Sequence, residues 1–445
     1  VSESVALPRR AVTLPRAAAF WSLAALLMFL LFASAAPTPM YVLYQRSWGF
    51  SPVTLTGVYA AYALALLVAL LFAGSLSDHV GRRPVLAVAV GVELAGMLVF
   101  AEADGVGWLF AGRILQGLAT GIATGAISAT LIDLQPPGTR LGPLMANSAS
   151  AGGLATGAVL TGLLVQYGPS PTRLVYWLLA GVFVLAALIV AALPETVAAP
   201  DRAWRTSLRP KVSAPPEARG PFLALIPSIA ATWALAGLFL SLAGSILRVS
   251  LHLSGPVVTG LAVVALQGSG AVMAVVARDW PARRGVWFGP LTLIAGVAVA
   301  LPGLAAHSPA LFFTGAVLAG IGFGPSFSGA LGTLTALAPP DRRAEMVTAI
   351  FVVSYLALSL PAVAAGIAVQ HAGLPRTVYV YGGAVIVLEA AALAGTLLRR
   401  RSASGTADDA AELAPAPGAA VPCPRAVARS TRCPGDRAAT ATASP

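Results

Sequence analysis

Charge is scarce in this sequence. Only 10% of its 445 residues are charged, where a soluble globular domain carries about 25%. Lysine occurs once, at Lys211 in RPKVS, a setting that fits no phosphate-binding Walker loop. That excludes an ATP-driven pump of this type from the chain itself. Cysteine occurs twice, at Cys423 and Cys433, and histidine four times, at 79, 252, 307 and 371. So scattered, these residues form no metal constellation, and neither a metal nor another cofactor is expected. The cysteines fall on a tail expected in the reducing cytoplasm, which disfavours a disulfide. No catalytic pair is visible, so the chain does not read as an enzyme. Acids are the rarer sign, 17 against 28 Lys and Arg, and none lies between Glu3 and Asp78. The first apolar run therefore offers no buried carboxylate to a cation.

What the chain has in excess is apolar surface. Hydrophobic residues make up 57% of it, and the mean hydropathy is +0.82. A protein core alone cannot absorb this much, so the bilayer must be the solvent. Runs of about 20 apolar residues can cross the hydrocarbon as helices. Twelve are predicted, at 18–44, 52–76, 84–102, 107–134, 143–167, 172–193, 221–250, 256–277, 286–306, 309–337, 343–371 and 376–398. The first is preceded by Arg9, Arg10 and Arg16 but is too long for a signal peptide, and it reads as a span.

With the N-terminus placed in the cytoplasm, most of the 28 basic residues fall in tails and cytoplasmic loops. These include Arg82 and Arg83, Arg140, the 202–219 segment, Arg283 and Arg284, Arg342 and Arg343, and 399–401. The opposite side keeps Arg46, Arg173, Arg376 and Arg248. This asymmetry explains the net charge of +11 as topology, without a nucleic-acid partner. The predicted organisation is a cytoplasmic tail (1–17), a six-helix bundle (18–193), a Pro- and Arg-containing cytoplasmic linker (194–220), a second six-helix bundle (221–398) and a disordered cytoplasmic tail (399–445). The fold class is thus an all-α membrane protein, with both termini cytoplasmic in a bacterial inner membrane.

The halves repeat one another. Asp78, Gly81, Arg82 and Arg83 in GSLSDHVGRRP align with Asp279, Ala282, Arg283 and Arg284 in DWPARRG. LFAGRILQGLATGIATGAISATLIDLQPPGTR aligns with FFTGAVLAGIGFGPSFSGALGTLTALAPPDRR. Gly112, Gly117 and Gly121 then match Gly315, Gly320 and Gly324, and the loops share PP-x-x-R.

Over residues ~15–398 the sequence resembles the major facilitator superfamily. GSLSDHVGRRP looks like that family's signature between helices two and three, RILQG like its arginine motif in helix four, and PET at 194–196 like the usual end of helix six. The resemblance implies two six-helix bundles with a site between them near the membrane midplane.

The charged loop reads as a gate. Gly74 and Ser75 let two helices approach. Gly81 allows a tight turn, from which Arg82 can reach an acid. The expected partner is Asp133, at the end of span four. The resemblance implies that Asp78 faces the start of helix eleven near Asp341, and that this lock holds the outward-facing state and breaks on inward opening. The alternative is a turn whose arginines, Arg83 included, only enforce topology. The duplicate loop 277–285 has lost the turn glycine and reads as a weaker gate.

Span four carries the pocket signal. Arg113, Gln116, Thr120, Thr124 and Ser128 recur every three or four residues, a polar stripe that should face the bundle interior or a water-filled cavity. Gly117 lies close to that face and permits close packing. The repeat puts Ala316 opposite Arg113, so the fold does not require arginine there. The competing reading is an arginine snorkelling to the outer interface. The family resemblance links it to proton coupling or substrate binding. Further pocket candidates are Tyr41, Tyr44 and Gln45 after the break at Pro37 and Pro39, Tyr59 and Tyr62 in span two, Arg248, Gln267 and Tyr355, each of which can equally be packing. Glu93 and Glu389 are the deepest acids and the candidate proton sites. Where proton-coupled drug exporters often carry paired glycines in helix five, GGLATGAVLTG has Ala158 after Gly157.

The expected function is secondary active transport of a small organic molecule by alternating access, with protons as the coupling ion and export as the direction. An uptake symporter or facilitator is the alternative, and a non-transporting membrane sensor the alternative of another class. Membrane lipids and the small molecule are the expected partners of a monomer.

Overall fold

Proline and glycine set where the helices start and stop. Ser51 caps the helix beginning at Pro52 by accepting from the Thr54 amide at 3.1 Å, and the turn before it needs Gly49 at φ 64°. Pro216, Pro256 and Pro309 likewise sit in first turns, where a missing N–H costs nothing. The computed structural model describes residues 13–74, 76–139, 141–197 and 212–412, with side chains through Arg399. The expectations for Arg9, Arg10, Ser75, Arg140, Lys211, Cys423 and Cys433 lie outside the described residues.

All regular structure among the described residues is helical, and twelve elements are long and apolar enough to cross a membrane. Spans one to six are Arg16–Trp48, Pro52–Ala73, Arg82–Ala101, Val106–Leu134, Leu141–Tyr167 and Leu174–Ala191. Spans seven to twelve are Pro216–Ser250, Pro256–Val276, Ala282–Ala305, Pro309–Leu337, Pro340–Ala372 and Leu374–Arg399. The chain is an all-α, twelve-span protein of two six-helix halves.

Several boundaries differ from the sequence-based ones. Span one starts at Arg16 and is broken, with helix to Ala35, a 3-10 turn Thr38–Met40 and helix Tyr41–Trp48. Span three begins at Arg82, so both loop arginines belong to its first turn. Span seven begins at Pro216, inside the expected linker, because apolarity marks the membrane core and not the full helix. The last helix continues to Glu412 through a segment expected to be disordered. The described residues up to Leu397 form one compact unit and those from Leu398 belong to a second.

The repeat is visible in what each glycine packs on. A Cβ on Gly112 would meet the Phe100 ring of span three, and one on Gly315 would meet Gly296 and Ala300 of span nine. Gly117 and Gly121 lie against span two at Tyr62 and Leu66, while Gly320 and Gly324 lie against span eight at Leu266 and Gly270. Each matched glycine thus meets the equivalent helix of its own half. In lipid, where no hydrophobic drive brings helices together, this close backbone approach is what holds them.

The linker, with the loops that follow spans two, four, eight and ten, defines one face; the remaining loops define the far face. The halves meet toward the far face. Gly162 abuts Pro256, Gly260 abuts Ala158, Gly366 abuts Thr56, and the Thr38 hydroxyl donates to the Leu240 carbonyl at 2.9 Å. On the linker face no described hydrogen bond or ion pair joins the halves. Thr124 and Ser128 of span four, and Phe327 and Phe351 opposite, are only half-buried there. A cleft therefore opens toward the linker face.

Candidate functional site

The site begins with the break in span one. Pro37 has no N–H to give the Ala33 carbonyl four residues back, and the helix stops at Ala35. Carbonyls are left in the middle of the membrane and must find other donors. Span four supplies them. Arg113 donates through Nη1 to the Ser34 carbonyl at 2.7 Å, and Gln116 donates through Nε2 to the Ala33 carbonyl at 2.9 Å. Arg113 also donates to the Tyr41 hydroxyl, from Nε at 2.9 Å and Nη2 at 2.5 Å, and to Gln116 Oε1 at 2.6 Å. Its guanidinium lies 5.4 Å from the centre of the Tyr62 ring. Glu93 of span three completes the group, its Oε1 3.5 Å from Gln116 Nε2. Arg113, Gln116 and Glu93 are fully buried. Arg113 does not snorkel: it points inward and ties span one to span four.

The charged loop forms a second network on the linker face. Gly81 adopts φ 108°, a conformation L side chains rarely take, and the space beside it is filled by the Glu195 carboxylate. That carboxylate accepts from the amides of Arg82 at 2.9 Å and Arg83 at 3.0 Å, capping span three. Arg82 is paired with Asp78 at 2.5 Å and Asp133 at 3.6 Å, and donates to the Ser77 hydroxyl at 2.8 Å. Asp133 also accepts from Thr196, and its carbonyl from Arg16 at 2.8 Å. Gly74 lies against Gly125, so spans two and four do approach closely there. Every described partner in this network comes from the N-terminal half or the segments directly before and after it, and none from the C-terminal half.

The cleft wall on the C-terminal side is aromatic. Trp233 of span seven meets Phe327 of span ten edge-on at 5.3 Å and Tyr355 of span eleven at 5.2 Å, and Phe351 lies 6.1 Å from Tyr355. Tyr59 and Tyr62 of span two join the same apolar cluster from the other half. Among its buried or half-buried polar atoms, Tyr59 Oη and Trp233 Nε1 have no hydrogen-bond partner.

A family profile described as Major Facilitator Superfamily matches residues 22–362, well over half of the chain. The chain belongs to the major facilitator superfamily. It is therefore a secondary active membrane transporter of small molecules and not an enzyme. Solved structures share the fold at low identity. The nucleoside transporter NupG is 15% identical with a TM-score of 0.68, over 85% of this chain and 99% of that one. A peptide transporter POT in complex with alafosfalin is 18% identical with a TM-score of 0.66, over 84% and 93%. A bacterial homolog of the human lysosomal transporter Spinster is 13% identical with a TM-score of 0.69, over 86% and 97%. Multidrug resistance protein D of Escherichia coli (strain K12) is 38% identical over 74 residues, which span 17% of this chain and only 18% of that protein.

Within this superfamily member, the expected residues sort into three places. Arg113, Gln116, Tyr41, Tyr62 and Glu93 share one network; Thr120 lies a turn further along, its hydroxyl bonded to the Gln116 carbonyl, and Gly117 sets the contact with span two. Tyr59 and Tyr355 line the contact between the halves. Gln267 sits in a π-turn, Val264–Gly268, with Oε1 buried and unpartnered, a local widening frequent at functional sites.

Four more of the expected residues lie outside the Arg113 network. Tyr44 stacks on Trp48 at 4.7 Å and sits 3.5 Å from the Tyr176 hydroxyl, so it packs span one on span six. Gln45 lies on the far-face turn of span one, and no described side-chain hydrogen bond ties it to the Arg113 network. Arg248 lies near the far-face end of span seven, where with Arg46, Pro39, Gly244 and Thr259 it lines a separate cavity of about 210 Å³. Asp78, moreover, pairs with Arg82 and makes no described bond to span eleven. The Arg82–Asp133 pair remains made although the halves are parted on this face, because it lies within one half; it does not itself bridge the gate.

Sequence reasoning noted PET at 194–196 only as the end of span six and gave Glu195 and Thr196 no part in the loop network. It also missed Trp233 and Phe327, and a hydroxyl cluster around Glu389, since no motif marks them.

Proposed function

We propose that this transporter sits in the inner membrane with the linker face in the cytoplasm, and that the structure is its inward-open conformation. The far-face contacts between halves and the cleft on the linker side support that reading, as does the excess of arginine on the linker side. Cysteine introduced at Asp104 should react with an impermeant reagent on intact cells, and one at Ala214 should not; the reverse pattern overturns the orientation.

The direction favoured here is inward, as a cation-coupled symporter or a facilitator, in place of the export first expected. The observation that carries it is the surface between the halves, aromatic rings and hydroxyls with no described acid to face an incoming positive charge. Such a site suits a neutral or anionic organic molecule. Arg46 and Arg248 add positive charge at the far-face cavity, where an anion arriving from outside would first be drawn. The fold-sharing nucleoside and peptide transporters are compatible with such cargo. Export keeps one support, the short match to multidrug resistance protein D. Metabolite profiling of cells with and without the gene, inside and in the medium, decides between them. Uptake is expected to deplete a compound from the medium; its accumulation outside would restore the export reading.

A further inference from the structure

Two carboxylates are sealed inside the spanning helices, and their surroundings differ. Glu93 shares its network with a cation, since Gln116 touches both it and Arg113. Glu93 Oε2 has no hydrogen-bond partner, but a guanidinium stands beside that acid, bridged to it by Gln116. Glu389 of span twelve has no such neighbour. Its Oε1 lies 3.2 Å from the Thr232 hydroxyl, Thr232 lies 3.3 Å from the Ser326 hydroxyl, and Ser326 lies 2.8 Å from that of Ser228. Ser228 and Thr232 occupy successive turns of span seven and Ser326 faces them from span ten; all four residues are buried. Glu389 Oε2 has no hydrogen-bond partner.

No arginine, lysine, histidine or second acid makes a described bond to this cluster. The charged residues of spans seven and nine lie toward their ends: Glu217, Arg219 and Arg248, and Arg283 and Arg284. Arg219 is 13 residues from Thr232, about 20 Å along the helix. Span ten carries none. On span twelve, Arg376 and Arg399 are at the ends, and Tyr381 donates to the Ala234 carbonyl at 2.7 Å. An ionised carboxylate so placed is strongly disfavoured unless something positive joins it. The hydroxyls alone cannot do this. Among the described hydrogen bonds only that from Thr232 reaches the carboxylate, at Oε1, and Oε2 is left without a donor.

We propose that Glu389, with Ser228, Thr232 and Ser326, is the binding site for the coupling cation, a monovalent ion that is either a proton or sodium, and that Glu93 is the fixed counter-ion of Arg113. One carboxylate and three hydroxyls are the hard oxygen donors an alkali ion takes, and the carboxylate alone suffices for a proton. Thr232 and Ser326 directly precede Trp233 and Phe327, the rings that meet at 5.3 Å in the cleft wall. An ion that draws the two hydroxyls together moves those rings, which couples its loading to the substrate surface. The proposal rests on the cation-coupled reading above, but its test needs no transport.

Infrared difference spectra of the purified full chain in lipid nanodiscs, with and without sodium across a pH series, read the carboxylic-acid C=O band of a buried protonated acid. Glu389→Gln should remove that band and Glu93→Gln should leave it. Thr232→Val, which keeps the acid, should shift it, and each variant is first checked for monodispersity. Loss of the wild-type band on adding sodium, together with binding of radioactive sodium, assigns the site to sodium. A band that responds to pH alone assigns it to the proton. A band that survives Glu389→Gln, a band that vanishes with Glu93→Gln, or no buried-acid band together with no sodium binding overturns the proposal. Gradient-insensitive transport in a protein that keeps the Glu389 band would instead overturn the coupling and leave the site standing.

Discussion

Arg113 shows what a single residue must satisfy in lipid. Its charge is fully buried, and its donors reach a main-chain carbonyl, a phenol and an amide. Arg113→Ala should do more than stop transport, since it leaves the Ser34 carbonyl and Gln116 Oε1 without their donor and removes the positive charge nearest Glu93, at a cost of about 3 kcal/mol. Thermal unfolding in nanodiscs should show Arg113→Ala strongly destabilised and the double variant with Glu93→Gln partly restored. A double variant no more stable than the single one would mean that the two charges do not compensate each other. Gly81 is the second such residue. Alanine there meets both the positive φ and the Glu195 carboxylate, so Gly81→Ala should cost about 1–2 kcal/mol by the same assay, and an unchanged midpoint would refute the strain. Arg113 and Gln116 were legible in the sequence because polar residues three apart on an apolar helix must turn inward together. Their acceptors on Ser34 and Ala33 were not, because main-chain carbonyls carry no letter; only Pro37 hinted that some would be free.

At the scale of elements, the linker-face loop is a cap as much as a gate. Glu195, from the segment after span six, closes the first turn of span three and so fixes Arg82 between Asp78 and Asp133. If that is one network, Arg82→Ala and Asp133→Ala should be non-additive in unfolding midpoint, with a coupling no larger than about 1 kcal/mol because Asp133 is part-exposed. Additive effects would reduce the loop to a topology signal. The duplicate loop supports the asymmetry read from its sequence. There, among the described residues, Arg278 pairs only with its neighbour Asp279, and Arg284 lies 4.5 Å from the Trp280 ring centre. Span number and the repeat were legible because apolar length and glycine spacing are written directly in the chain. Helix ends were less so: span seven extends past its apolar run through Pro216–Gly220, where helical geometry continues without hydrophobicity.

For the whole molecule, the central claim is that the two halves rock about the far-face contacts to expose one cleft at a time. Residues from both halves pack in a shared cluster around Tyr59, Tyr62, Leu240 and Leu358, and this must part when the far face opens. Sequence could place a site between two halves by resemblance, but it could not say on which side they part, since that is a property of one state among several. Spin labels read the states directly. In a chain carrying Cys423→Ser and Cys433→Ser, one label pair at Thr139 and Leu337 reports the linker face, and a second at Ser47 and Ser254 the far face. Pulsed electron resonance in nanodiscs should find two distance populations for each pair, exchanging in opposite senses as pH or sodium is varied: long on the linker face whenever short on the far face. A single unchanging distance on each face under every condition would contradict alternating access and leave a static scaffold suited to sensing.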